Sequence, residues 1–193
     1  KAVHIPNFVE QEKSFKGKRG NYFLYAGRLS KEKGVLELLS LFSTMPKLKL
    51  VVIGDGPLKE EVKKYSRFGN IKILGKLSRK TVLGYMKTAM ATIIPSKCYE
   101  VLPTVLIESY SVATPVVAPR IGVFKELIKE GETGFLYAAN NQNELGNLLL
   151  RLMGERLAGM GVKCRHEYLD KYRDELYYER IKKVYSRLKK GIN

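Results

Sequence analysis

Cysteine is scarce in this chain. Its 193 residues hold two, Cys98 and Cys164, far apart and matching no metal-binding or redox spacing. They build no disulfide framework, so a reducing compartment is expected. No apolar run approaches the roughly 18 residues that a membrane-spanning helix needs, and no signal peptide is visible. A cytoplasmic location is expected, with peripheral contact at a membrane as its one extension. Histidine is equally scarce: His4 and His166 have no partner set, which leaves a metal site or a Ser–His dyad unsupported. The lysine loop of P-loop nucleotidases, the dinucleotide GxGxxG fingerprint and the zinc motif HExxH are all missing. So are internal repeats and low-complexity linkers. Acids are short too, 19 against 35 basic residues, for a formal charge of +16. Such an excess suits nucleic acid, an anionic membrane surface or a phosphorylated ligand, with a merely solvated basic surface as the alternative.

What is present is globular in composition, 45% hydrophobic and 28% charged, and long enough for one domain with a real core. The chain opens KAVHIPNFVE, which reads like the middle of a connection; the expectation is a fragment whose upstream part is missing. Short apolar runs then alternate with helical patterns. Strands are expected at Tyr22 to Ala26, Leu48 to Ile53, Ile71 to Leu74, Ala91 to Ile94, Pro115 to Ala118 and Gly134 to Tyr137. Helices are expected over Val35 to Phe42, over Leu58 to Arg67 behind the turn Gly54-Asp55-Gly56-Pro57, and from an N-cap at Ser78 through Met86. Nearly all-apolar strands alternating with helices predict a doubly wound α/β fold. Its six-stranded parallel sheet carries helices on both faces, with ligands beyond the carboxyl ends of the strands. The expected division is a connecting segment over 1–20, the Rossmann-like domain over 21–155 and a helical tail over 156–193. In that tail Tyr177, Ile181, Val184 and Leu188 make one stripe of a basic amphipathic helix. The stripe would dock on the body or on the missing part, or else meet a membrane surface.

Two places could carry chemistry. After the first strand comes GRLSKEKG, where Ser30 reads as an N-cap and Lys33 as the third helical residue. A cation there opposes the helix dipole. A nearby anion, shared with Arg28, would account for it; two solvated surface cations are the alternative. The second place is EVLPTVLIE, Glu100 to Glu108. Pro103 at a helix start leaves free N–H groups around Leu102 to Val105 at the sheet's carboxyl edge, a ready anion site. Thr104 and Glu108 share one helix face, with Val105, Leu106 and Val112 mainly elsewhere. Glu100 precedes the turn, so both acids can look into one cleft, where they would accept from sugar hydroxyls. An acid favoured by the helix N-terminus and an exposed loop acid are the alternatives. Gly54-Asp55-Gly56-Pro57 reads as a turn at the cleft rim.

In order from about Asn21 to Tyr137 come GRLSKEKG, VVIGDGPL, ILGKLS, IIPS, the E-x7-E pair, PVVA and ELIKEGETGFL. Over two-thirds of the chain this set resembles the C-terminal, donor-binding domain of retaining GT-B glycosyltransferases of family-4 type, and IPNFVE resembles the segment leading into it. The resemblance implies a hexosyltransferase-type activity that moves a sugar from a nucleoside-diphosphate sugar to a glycan or lipid acceptor. Arg28 and Lys33 would bind the diphosphate in place of a metal ion, Glu108 the ribose hydroxyls, and Glu100 the transferred sugar. The backbone from Leu102 to Thr104 would hold the distal phosphate, with Gly27, Val101 and Pro103 in the same donor-binding set. It implies no cofactor, no metal and no nucleic acid as partner. It also implies front-side attack with retention, and a missing N-terminal domain that supplies the acceptor site, so that this chain alone binds donor without transferring it. The sequence departs from the family pattern at Val101 and Leu102, where small residues are usual, which would restrict the sugar pocket. It departs again at Gly122-Val123, where paired glycines are usual, which would alter a loop near the phosphates. A non-catalytic nucleotide-sugar-binding module and a basic nucleic-acid-binding domain are the competing readings; the latter lacks a recognition motif with interleaved aromatics.

Overall fold

The computed structural model describes residues 5–6, 8–10, 19–154 and 157–190, leaving aside the side chains of 158 and 188–190. Most of the expected connecting segment over 1–20, and the Leu188 end of the tail's stripe, therefore lie outside the described residues. Six strands, β1 (Phe23–Ala26), β2 (Leu50–Ile53), β3 (Ile71–Ile73), β4 (Thr92–Ile93), β5 (Val116–Pro119) and β6 (Gly134–Tyr137), form one sheet in the order β3-β2-β1-β4-β5-β6. Every pairing is parallel, with Leu24 opposite Val51 on one side and opposite Thr92 on the other.

Alternation along β1 explains the two layers. Phe23 and Tyr25 join Val52, Ile93 and Val117 in a core covered by three helices, α1 (Val35–Ser43), α2 (Lys59–Lys63) and α6 (Gln142–Met153). Leu24 turns the other way, with Val51 and Ile53, against α3 (Arg79–Thr88). Beyond it on that face, Val116 and Ala118 pack under α4 (Thr104–Ser111), α5 (Phe124–Leu127) and α7 (Ala158–Lys171). The expected doubly wound α/β fold is what the structure has. Cys164 and Tyr168 of α7 are fully buried against the core of α4, so the helical tail is packed onto the body through α7. The last helix, α8 (Asp174–Lys190), docks more lightly. Tyr177 lies 4.7 Å from the Phe8 ring, while Tyr178 and Tyr185 stay exposed. No helix among the described residues is long and apolar enough to cross a membrane.

Two expected helices are altered. Residues 31–33 form a separate 3₁₀ turn, and Gly34, left-handed at φ 68°, breaks it from α1. A Cβ on Gly34 would stand 2.0 Å from the Pro95 carbonyl oxygen, so the break lets this loop press against the end of β4. The helix expected from Leu58 runs only over Lys59–Lys63 before tightening to 3₁₀ through Arg67. The Ser78 cap is present, its Oγ accepting from the Thr81 N–H at 3.3 Å. Because the strand order turns back between β1 and β4, a crevice opens beyond their carboxyl ends.

Candidate functional site

The loops after β1, β2 and β4 meet over that crevice. Leu29 N–H donates to the Asp55 carbonyl at 2.9 Å, and Leu58 N–H returns the bond to Leu29 at 3.0 Å. At Gly54, φ 155°, a Cβ would fall 1.8 Å from the Gly27 carbonyl oxygen, so only glycine allows this approach. Tyr25 supports the loop from below, its hydroxyl donating to the Arg28 carbonyl at 2.6 Å. Burial pushes that phenol well above its ordinary range, helped by the nearby charges of Glu32 and Glu100.

Two adjoining hollows result. The inner one, about 270 Å³, is lined by Tyr25, Gly27, Arg28, Lys33, Ser96, Glu100 and Leu102 through Val105. The outer one, about 580 Å³, is lined by Gly27, Arg28, Gly54, Asp55, Gly56, Lys76, Leu77, Val82, Thr104, Val105 and Glu108. Gly27, Arg28 and Thr104 belong to both, at the seam. The structure thus brings together the expected residues Gly27, Arg28, Lys33, Glu100, Leu102, Pro103, Thr104 and Glu108. The turn Gly54-Asp55-Gly56 sits at the rim.

Lys33 reaches the site by a different route from the one expected. Ser30 does not cap a helix through its side chain: its hydroxyl donates to Glu32 Oε1 at 2.5 Å, which draws the Glu32 carboxyl below its ordinary range. Lys33 is consequently the last residue of the 3₁₀ turn rather than the third of an α-helix. Its Nζ lies 2.5 Å from Glu100 Oε1. The buried Ser96 donates to that same oxygen at 2.7 Å. Sequence reasoning passed over Ser96, although it closes the IIPS run at the end of β4.

Pro103 is the N-cap of α4, extended at ψ 107°, and no side chain caps this end. The first-turn N–H groups of Thr104 and Val105 have no partner within the helix. Val105 also lines both hollows, so it does not lie elsewhere as its helical spacing suggested. One turn on, Glu108 accepts from Arg79 Nε at 3.1 Å. Val101 is not brought to this crevice. It is 94% exposed and borders a separate hollow of about 810 Å³, together with Leu102, Val123 and Arg180. Gly122, at φ 47°, lies under the exposed Tyr99 ring, and a Cβ there would be 2.7 Å from Tyr99 Cδ1. Among the described residues no three His, Cys, Asp or Glu side chains cluster as metal ligands would.

Two cations and an uncapped helix end on one side, with a carboxylate at each end, make a site for a ligand that carries charge at its middle and hydroxyls at both ends. The class this fold defines is a Rossmann-like α/β domain with its candidate site in the crevice between β1 and β4. The pattern of the family described as Glycosyl transferases group 1 matches residues 7–168, and the chain belongs to that family. An uncharacterized glycosyltransferase of Methanocaldococcus jannaschii is 27% identical over 192 residues, covering 97% of this chain and 54% of the relative. The sulfoquinovosyl transferase of Arabidopsis thaliana is 28% identical over 175 residues, 86% of this chain and 34% of its own. The chain thus spans about half or less of these relatives. In fold it matches sucrose-phosphate synthase from Thermosynechococcus elongatus (TM-score 0.78, 22% identity, 88% of this chain and 46% of that one). It also matches the Anabaena protein HepE in complex with UDP (TM-score 0.76, 20% identity, 88% and 49%). The architecture is the C-terminal half of a GT-B fold.

Proposed function

We propose that this chain is the donor-binding half of a retaining glycosyltransferase and takes a nucleoside-diphosphate sugar across the β1–β4 crevice. The observation that carries the reading is the meeting of Arg28, Lys33 and the uncapped start of α4 in one hollow, flanked by Glu100 and Glu108. In this reading the diphosphate lies at the seam, the nucleoside extends into the outer hollow past Glu108, and the sugar turns toward Glu100. HepE is described with UDP and with UDP-glucose bound, which supports the ligand class.

The chemistry follows from where charge develops. The bond between the anomeric carbon and the phosphate oxygen breaks, and the acceptor oxygen bonds to the same face of the sugar. The acceptor's proton passes to the departing phosphate. With the diphosphate in place, Arg28, Lys33 and the α4 N–H groups meet the growing negative charge, the work a metal ion does in other transferases. The acceptor site belongs to the part of the longer protein that lies outside this chain, so the chain alone binds donor and transfers nothing.

Thermal unfolding with UDP, GDP, ADP and their sugar conjugates in EDTA tests this. A ligand at about a hundred times its dissociation constant adds roughly 2.7 kcal/mol. The expected result is a rise of several degrees for one nucleoside, unchanged by EDTA. No rise with any of them at millimolar concentration overturns the reading.

A further inference from the structure

We infer that Arg79 is a positioning residue, which holds the Glu108 carboxylate in place to accept from the donor's ribose hydroxyls. The inference rests on the donor reading above. Arg79 is the first residue of α3 and borders neither hollow, so it acts through Glu108 rather than on the ligand. Its Nε lies 3.1 Å from Glu108 Oε1, and its Nη1 lies 3.8 Å from Glu10 Oε2 on the other side. Glu10 is itself on an anchored stretch, because the neighbouring Val9 donates to the Tyr172 carbonyl at 3.2 Å and accepts from the Tyr168 hydroxyl at 2.7 Å. The Glu10 contact is long and exposed, so the hydrogen bond to Glu108 is the one that counts, and the planar guanidinium gives that carboxylate oxygen a fixed direction. In the donor reading the second oxygen accepts from the ligand.

Neither helix stability nor ion-pair stability accounts for an arginine here. The first turn of α3 carries Arg79 and Lys80 and no acid, against the helix dipole. The ion pair is partly solvated, its side chains 42% and 21% exposed, and pairs of that kind add little to folding. What the contact does supply is a single orientation for an otherwise flexible glutamate at the wall of the outer hollow, facing the same way as Thr104.

The test is calorimetric titration of the chain with UDP, GDP and ADP and with their 2′,3′-dideoxy forms, for wild type, Arg79→Ala and Arg79→Lys. Wild type is expected to prefer the ribose form of its nucleotide by roughly tenfold or more, the value of a charged hydrogen bond. In Arg79→Ala that ratio should fall to about threefold or less. Its affinity for the dideoxy form should stay at the wild-type value, and its melting temperature within a few degrees of wild type. Arg79→Lys keeps the charge without the fork and should recover part of the ratio. An undiminished ratio in Arg79→Ala overturns the role of Arg79 while leaving the donor reading intact, and equal loss of both forms overturns it as a mere structural effect. A wild type that binds the nucleotide with no ribose preference overturns the role of Glu108 and this inference with it. A wild type that binds none of the six overturns the donor reading itself.

Discussion

Lys33 Nζ stands 2.5 Å from Glu100 Oε1, the residue expected to serve phosphate in direct contact with the residue expected to serve sugar. Ser96 donates to the same oxygen, so Glu100 Oε1 has two partners within the site. In the proposed reading a diphosphate draws Lys33 away from this pair, and the freed carboxylate then accepts from sugar hydroxyls. Glu100→Gln should therefore bind nucleoside diphosphate several-fold more tightly than wild type, yet lose most of the extra affinity for the sugar conjugate. Lys33→Ala and Arg28→Ala should each weaken diphosphate binding by roughly 1.5–3 kcal/mol. Titrations of the three variants with a diphosphate and its sugar conjugate check this. Unchanged diphosphate affinity in both cation variants would mean the phosphate lies elsewhere.

Much of this site was legible because its parts are local. The strands declare themselves as apolar runs; β6 falls on Gly134–Tyr137 as its composition predicts, and the Ser78 cap has its expected bond. Thr104 and Glu108, four residues apart in α4, share one helix face whatever surrounds them. What escaped depends on contacts between distant segments. The helix break at Gly34 comes from the Pro95 carbonyl, and no window around Ser30 contains Pro95. Arg79 and Glu108 meet across two helices, and Ser96 matters only because Glu100 folds back over it. The resemblance implies Val101 in the donor-binding set, yet its side chain is exposed to solvent.

Gly34 gives a direct check on that break. Alanine there would need a left-handed backbone and would put its Cβ 2.0 Å from a backbone oxygen. Gly34→Ala should cost about 2–4 kcal/mol, lowering the melting temperature by several degrees or more. Gly84→Ala is the matched control: Gly84 lies within α3, and its Cβ would meet nothing within 4 Å. It should stabilise the chain by about 0.5–1 kcal/mol. If thermal unfolding shows equal effects for the two, the close approach of Gly34 to Pro95 is wrong.

Away from the crevice, Glu167 of α7 ties the helix to the body. Burial would raise its carboxyl pKa, but its bonds to Lys129 Nζ at 2.7 Å and to Lys171 outweigh this and hold it below the ordinary range. A carboxyl depressed in the folded state stabilises fully above its unfolded pKa of about 4.3, and that contribution disappears as pH falls through the folded value. Glu167→Gln should then be less stable than wild type by about 1 kcal/mol near neutral pH, with the gap closing below about pH 4. Urea unfolding across pH 3 to 8 measures it. A gap that persists unchanged at pH 3 would assign the loss to packing instead.

The two cysteines make the crevice observable without mutation. Cys164 is fully buried under α4, and burial pushes its thiol up to about 12, so the reactive thiolate is negligible at pH 8. Cys98 is half-buried, its Sγ 3.5 Å from Ser96 Oγ and 4.0 Å from Glu100 Oε1. Iodoacetamide at pH 8 should therefore modify one site per folded chain, Cys98, and both sites once the chain is unfolded in urea. In the proposed reading a bound sugar nucleotide covers the ground beside Glu100, whereas the free diphosphate stops at the seam. Peptide mass mapping should then show Cys98 protected strongly by the sugar conjugate and weakly by the diphosphate alone. Equal protection by the two would place the sugar away from Glu100, because a thiol 4.0 Å from that carboxylate cannot ignore a hexose resting on it.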